Sequence, residues 1–447
     1  MENKRETLGS RLGFLLLSAG CAIGLGNVWT FPWRVGNNGG GAFVFCYVIA
    51  LIVLGIPIMT AEFSVGRSVK VSPILTYQKM ENSKGLWRFH GIIALLGNVF
   101  LMMFYTTIAG YFIYYFFRFV GGDFETLSYG ATAANTSVNV IYMIVVVVLG
   151  FGVLSLGLQS GLEKVNKYMM VALFMLLFVL AVRACTMAGA AEGLKFYLTP
   201  DFSAINMQVI IKAMNQAFFS LSLGIGSMAI FSSYIGQERT LLGESVSVIA
   251  LDTLVAIMAG FIIFPACFTF NINPDAGPPL LFTTMTAVFS NMTAGRVWGT
   301  LFFLFMTFAA MSTVFAVFEN ILAMVRDITG WSRKKGCLIL CIVMIVLCLP
   351  MALSGSILSG FQPFSEGSGV LDLWDYFVET LLQPLGSLMY LVFCSRAFGW
   401  GWDNFVKEAN AGKGLKVRAW MRPVFTWVSP LIIFALWVYG LVTFQYR

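Results

Sequence analysis

Apolar runs of about 20 residues recur from one end of this chain to the other, and that recurrence excludes most folds. A helix needs roughly 20 residues to cross a hydrocarbon core ~30 Å thick. The runs lie near 12–34, 41–66, 90–118, 138–157, 165–186, 207–234, 243–270, 297–325, 337–354, 370–395 and 423–444. No water in the bilayer core can bond a peptide group, so each run must satisfy its own backbone and reads as a helix. Of the 447 residues, 58% are hydrophobic and 11% charged, against about a quarter charged in soluble domains. Mean hydropathy is +0.83. The expectation is an all-α integral membrane protein of eleven transmembrane helices, forming one domain over residues 1–447.

The basic residues set the orientation. With the N-terminus in the cytoplasm, 21 of the 28 Lys and Arg fall in cytoplasmic segments, the densest being Lys407 to Arg422. This is the positive-inside bias. It places the C-terminus outside. The net charge of +7 then faces anionic lipid, not nucleic acid. The eight cysteines all sit in apolar segments without a CxxC pair, as expected of packed thiols. Ser18-Ala19-Gly20-Cys21 has the look of a lipoprotein cleavage site, but the apolar run continues past the cysteine to Phe31, which argues against cleavage.

An internal echo carries more information. Ala22-Ile23-Gly24-Leu25-Gly26-Asn27 in the first helix and Ser222-Leu223-Gly224-Ile225-Gly226-Ser227 in the sixth share one pattern, small-apolar-Gly-apolar-Gly-polar. Each opens a set of five helices, at about 11–186 and 207–396, with the eleventh (423–444) outside the repeat. Five is odd, so the second set is inverted in the membrane. Glycine-interrupted helices at matching positions of inverted halves mark a transporter's central site. The glycines let the chain unwind and free backbone groups at mid-membrane, where they are tolerated only if they line a cavity or hold something. Freed carbonyls suit a cation; half-helix N-termini suit a carboxylate. The competing explanation for Gly20 and Gly24 is close helix packing of the GxxxG kind.

Glu62, Asp252, Glu319 and Glu379 lie in or near spans, where a carboxylate is costly unless paired or ion-bound. Glu62 and Glu319 read as hydrogen-bonded links between helices, Asp252 as an ion ligand. Ser312 and Thr313 place two hydroxyls in an apolar run. Catalysis has little support. His90 is the one histidine, at a cytoplasmic helix end, and no triad, HExxH or phosphate loop is present. The chain reads as a transporter and not an enzyme.

The run Arg11-Leu12-Gly13-Phe14 through Gly20 to Trp29, Phe31-Pro32 and Asn38-Gly39-Gly40-Gly41-Ala42-Phe43 resembles the neurotransmitter:sodium symporter family. So do Gly55-Ile56-Pro57, Glu62-Phe63, Gly66-Arg67, Gly161-Leu162-Glu163-Lys164 and Phe218 to Gly224. The short bacterial members, transporters of tyrosine and hydrophobic amino acids, look most similar. The resemblance implies a symporter in the bacterial inner membrane, a monomer or weak homodimer, carrying an amino acid with two Na⁺. It implies a first sodium site of Ala22, Asn27, Ser220 and Asp252 with the substrate carboxylate. It implies a second of Gly20, Ile23, Ala309, Ser312 and Thr313. Substrate would meet Ala22, Leu25, Gly26, Tyr105, Phe219 and Ser220 through its backbone. Its side chain would meet Leu101, Ser222, Ile225, Thr313 and Val317. At Gly24, amine-transporting relatives carry Asp; here the substrate should bring its own carboxylate, and Gly24 leaves room for a bulky hydrophobic or aromatic one. An alternative within the same fold is a proton-coupled transporter or exchanger, with Asp252 titrating.

Two departures stand out. Asp252 replaces the family's usual Asn and Ala256 a chloride-site Ser, while Tyr47, Gln216 and Ser220 keep that pattern; a fixed carboxylate there implies independence of chloride. Thr30 replaces the basic residue that normally pairs with an acid of the tenth helix, here Asp375. Arg34, one turn outward, is expected to stand in, directly or through water. The cytoplasmic gate is expected to use Arg5 and Asp327 with Ser233 and Tyr234, and the external one Tyr105 and Phe219.

Overall fold

The computed structural model describes residues 6–80, 85, 87–272 and 280–442. Among them the structure is helical throughout, the only extended pairings being isolated bridges at Gly40–Pro200 and Arg239–Lys413. Nine helices are long and apolar enough to cross a membrane, and ten when Arg11–Ala22 and Gly26–Asn37, bent by 51°, count as one. The sixth expected span is in two pieces, Met207–Ser220 and Ser227–Ser232.

The third and eighth helices are longer than their apolar runs, at Arg88–Gly121 and Gly295–Thr329. Hydropathy stops at the first charged residue, but the hydrogen-bond ladder continues into the interface where water can solvate its end. These two pack on each other at the centre; 78% of the eighth helix's apolar window is buried, against 28% for the last helix. The last helix, Ala419–Val442, is thus an outer layer with most of its apolar window unburied.

The first helix is fixed at its base. Ser10 caps it by accepting from Gly13 N at 3.0 Å. Glu163, ahead of the fifth helix, accepts from Gly9 N at 2.8 Å and Ser10 Oγ at 3.1 Å. Gly20 also packs closely: a Cβ there would sit 2.9 Å from Asn166 Oδ1, and Asn166 Nδ2 donates to Leu16 O at 2.8 Å. Close packing and unwinding, alternatives in the sequence, occur together one turn apart. His90 lies in the first turn of the third helix and is fully buried, its Nδ1 against the Tyr77 hydroxyl.

Candidate ion and substrate site

The first helix ends at Ala22. Ile23 turns out of it with ψ 88°, and the chain re-enters a helix at Gly26. The last carbonyls before such a break lack their intrahelical donors. Into this gap the eighth helix projects Thr313, with Oγ1 3.2 Å from Gly20 O, 3.3 Å from Cys21 O and 3.3 Å from Ile23 O. Ser312 Oγ lies 3.4 Å from Ile23 O and 2.9 Å from Ala309 O. Gly20, Ile23, Ala309, Ser312 and Thr313 therefore converge. A hydroxyl has one proton, so Thr313 can serve one of its three carbonyls at a time. Neutral oxygens left over in a buried cluster suit a monovalent cation.

The sixth helix breaks by a different device. Ser222 (φ 51°), Gly224 (φ 83°) and Gly226 (φ 79°) all adopt left-handed backbone, which glycine tolerates and serine does not favour. Glu62, fully buried on the second helix, accepts from Gly224 N at 3.0 Å and Met228 N at 2.9 Å, so its carboxylate caps the inner half-helix. The two breaks touch: a Cβ on Gly26 would lie 2.8 Å from Ser220 Cα.

A second polar cluster joins the first, second, sixth and seventh helices. Asn27 Nδ2 donates to Asp252 O at 3.0 Å and Asp252 Oδ1 at 2.8 Å. Tyr47 Oη is 2.9 Å from Ser220 Oγ and 3.5 Å from Asp252 Oδ2. All four side chains are inaccessible to solvent, and Asn27 Oδ1 has no hydrogen-bond partner among the described atoms. An orphaned acceptor beside a buried carboxylate is the arrangement a cation completes.

Between the clusters lies a cavity of about 10 Å³, roughly one water's worth. Of the expected substrate residues, Ala22, Gly24, Leu25, Gly26, Leu101, Tyr105, Phe219, Ser222 and Thr313 line it; Ser220, Ile225 and Val317 do not. Cys21 also lines it, and nothing in the residues around it marks it for that place. Leu25 N donates to Tyr105 Oη at 3.0 Å. Gly24 does not leave spare room: a Cβ there would collide with the hydroxyls of both Tyr105 and Thr313. The space is already filled from the third and eighth helices, whose positions a single sequence does not reveal.

The sodium:neurotransmitter symporter family model matches residues 5–126 and 125–447. The chain belongs to that family. An uncharacterized sodium-dependent transporter of Haemophilus influenzae is 32% identical, over 98% of each chain. One of Bacillus subtilis, YhdH, is 34% identical over 88% of each. Among solved structures, that of MhsT in complex with L-phenylalanine superposes with a TM-score of 0.88 at 31% identity, covering 97% of this chain and 99% of that one.

The symporter's cavity is closed on both sides by polar networks. On the side of the half-helix Gly26–Asn37, Arg34 does pair with an acid of the tenth helix, but the partner is Glu379 at 2.7 Å and not Asp375. Helical side chains lean towards their own N-terminus. Arg34 and Glu379 therefore each lean back towards the start of their own helix, and they meet although their backbones are offset. Asp375, one turn before Glu379, lies against its carboxyl. Arg34 Nη1 also donates to Gln216 Oε1 at 2.9 Å, while Gln216 Nε2 donates to Gly26 O at 2.7 Å. Thr30 Oγ1 is 3.1 Å from the same Gln216 oxygen. On the opposite side, Arg5 lies outside the described residues, and Asp327 accepts from Ser72 N at 2.7 Å. Tyr234 donates to Glu319 at 2.8 Å. Arg333 bonds Glu319 at 2.7 Å and Glu6 at 3.0 Å, and Arg326 bonds Glu6 at 2.9 Å. Glu319 thus links two elements through Tyr234 and Arg333. The sequence marked it as a buried acid but could not supply these partners, the first of which is far from it along the chain.

Proposed function

We propose that this symporter imports an α-amino acid with a hydrophobic or aromatic side chain, together with two Na⁺, by alternating access. The observation that carries the substrate class is the half-helix Gly26–Asn37 starting at the cavity wall. Its N-terminal amides and dipole favour a carboxylate, and Gly24 offers no acid of its own. The substrate carboxylate would complete the coordination at Ala22, Asn27, Ser220 and Asp252. Gly20, Ile23, Ala309, Ser312 and Thr313 would hold the second ion. MhsT, crystallised with L-phenylalanine, supports an amino-acid cargo.

Two cations moving inward through ~100 mV release about 4.6 kcal/mol, roughly a 10³-fold gradient for a zwitterion. Substrate and Na⁺ together neutralise the freed backbone groups, letting Tyr105 and Phe219 close above; the Tyr234–Glu319–Arg333–Glu6 network then opens below. The topology fitting this cycle is eleven helices in two inverted sets of five plus one, with a cytoplasmic N-terminus in a bacterial inner membrane.

Uptake of labelled amino acids into proteoliposomes, competed by all twenty, tests the reading. Stimulation by Na⁺ is expected, with hydrophobic and aromatic amino acids the strongest competitors and decarboxylated analogues inactive. Uptake that needs a pH gradient but not Na⁺ would select proton coupling instead. Asp252 supplies fixed negative charge beside the first ion, and the position one turn on is the apolar, buried Ala256. Replacing chloride by gluconate is therefore expected to leave uptake unchanged; strict chloride dependence would overturn this part.

A further inference from the structure

Ile225 sits in the unwound middle of the sixth helix, yet its side chain does not line the cavity. It is seated instead on Gly97 of the third helix. A Cβ at Gly97 would collide with Ile225 Cγ2 and lie 3.1 Å from Ile225 Cβ. The next residue holds the peg in place: Asn98 Nδ2 donates to Ile225 O at 2.6 Å and to Ala94 O at 2.8 Å. Asn98 is itself oriented. Asn320 Nδ2, on the eighth helix, donates to Asn98 Oδ1 at 3.1 Å and to Ser227 Oγ at 2.8 Å. Asn98, Ser227 and Asn320 are all fully buried. In a low-dielectric interior such bonds are strong, and breaking one strands a polar group.

The location gives this clasp a consequence. Asn98 is three residues before Leu101 and Asn320 three after Val317, so each lies on the same helix face as an expected side-chain contact and one turn nearer the cytoplasm. Ile225 therefore stands where a substrate side chain passing Leu101 would extend. A backbone with left-handed residues on both sides of Ile225, at Gly224 and Gly226, can shift without breaking a helical ladder. We propose that Gly97 and Asn98, oriented by Asn320, form a seat and clasp for Ile225 that sets the depth of the side-chain pocket, and so decides which amino-acid side-chain lengths are accepted. Gly97, Asn98 and Asn320 do not line the cavity; Gly97 and Asn98 are positioning residues acting through Ile225. The inference rests on the amino-acid transport reading above.

The test is Na⁺-dependent uptake of labelled leucine in proteoliposomes, competed by alanine, valine, leucine, phenylalanine and tryptophan. Gly97→Ala forces Ile225 off its seat towards the cavity, and large competitors are expected to weaken about ten-fold or more relative to small ones. Ile225→Ala is expected to shift the ratio the other way by a similar factor, as one or two methylenes do in apolar pockets. Asn98→Leu, which leaves the Ile225 carbonyl unbonded, is expected to flatten the series. A loss of uptake that is uniform across the series, with ratios unchanged, would make the cluster merely structural and overturn the proposal. Should Gly97→Ala or Asn98→Leu fail to give monodisperse protein, Ile225→Val decides: a few-fold tilt towards the larger competitors supports the clasp, and unchanged ratios overturn it. Wild-type protein without Na⁺-dependent uptake of any amino acid would overturn the transport reading itself, and the clasp as a selectivity device with it.

Discussion

Thr313 has one hydroxyl proton and three carbonyls within 3.3 Å, and the oxygens it cannot serve are what a cation would bind. Roles of this kind are legible in sequence only as residue types at helix breaks; the distances come from how the eighth helix meets the first. Gly24 illustrates the gap. The glycine was visible, but the Tyr105 and Thr313 hydroxyls pressed against it were not, because they arrive from helices far along the chain. Gly24→Ala is therefore expected to displace one or both hydroxyls and to weaken amino-acid binding at least 100-fold. Leu25 N would lose its Tyr105 partner at the same time. Equilibrium binding of the labelled substrate, on protein whose melting temperature is unchanged within a few degrees, measures it; affinity within three-fold of wild type would mean the contact is slack.

At the scale of elements, each broken helix needs an outside partner for the backbone groups it frees. The sixth takes Glu62 for its amides and Asn98 for a carbonyl; the first takes Tyr105, Thr313 and Gln216. The glycine echo foretold that both helices break. It did not foretell that Ile225 would face the third helix, since left-handed residues at Ser222, Gly224 and Gly226 abolish the 3.6-residue period from which facing is read. The outer closure follows element geometry as well. Arg34 and Glu379 are both nearly buried, and removing one partner of such a pair costs about 3–5 kcal/mol because the other charge is stranded. Arg34→Ala is expected to abolish uptake, and Glu379→Gln in the same chain to restore part of it by removing the stranded carboxylate. Thermal midpoints and uptake of the single and double variants together give the coupling; additive effects would mean that the two residues close nothing jointly.

For the molecule as a whole, hydropathy made nine spans and the bent first one legible, because the bilayer imposes length and polarity on each helix separately. Which helices are central and which peripheral depends on packing, and no window of 20 residues contains it. The network proposed to open below the site is such a feature, assembled from Glu6, Tyr234, Glu319, Arg326 and Arg333. Burial pushes the Glu6 carboxyl up, but the guanidinium groups of Arg333 and Arg326 outweigh it and hold Glu6 below its ordinary value of 4.5. A carboxylate with a depressed value stabilises the closed form above that ordinary value and ceases to do so as pH falls through the lowered one. Labelling of a Ser233→Cys thiol from the cytoplasmic side, corrected for thiolate fraction, is expected to be flat across neutral pH and to accelerate only in acid below 4.5. Glu6→Gln is expected to give the faster rate at neutral pH; equal rates in both proteins would remove Glu6 from the closure. The Arg34–Glu379 pair above and the Glu319–Arg333 pair below are both formed in the one structure. Under the proposed cycle, a protein holding both pairs at once is an electrical insulator between strokes. It can hold charge movement to the ions that ride with cargo, so the cell's battery is spent on concentration and not lost as leak current.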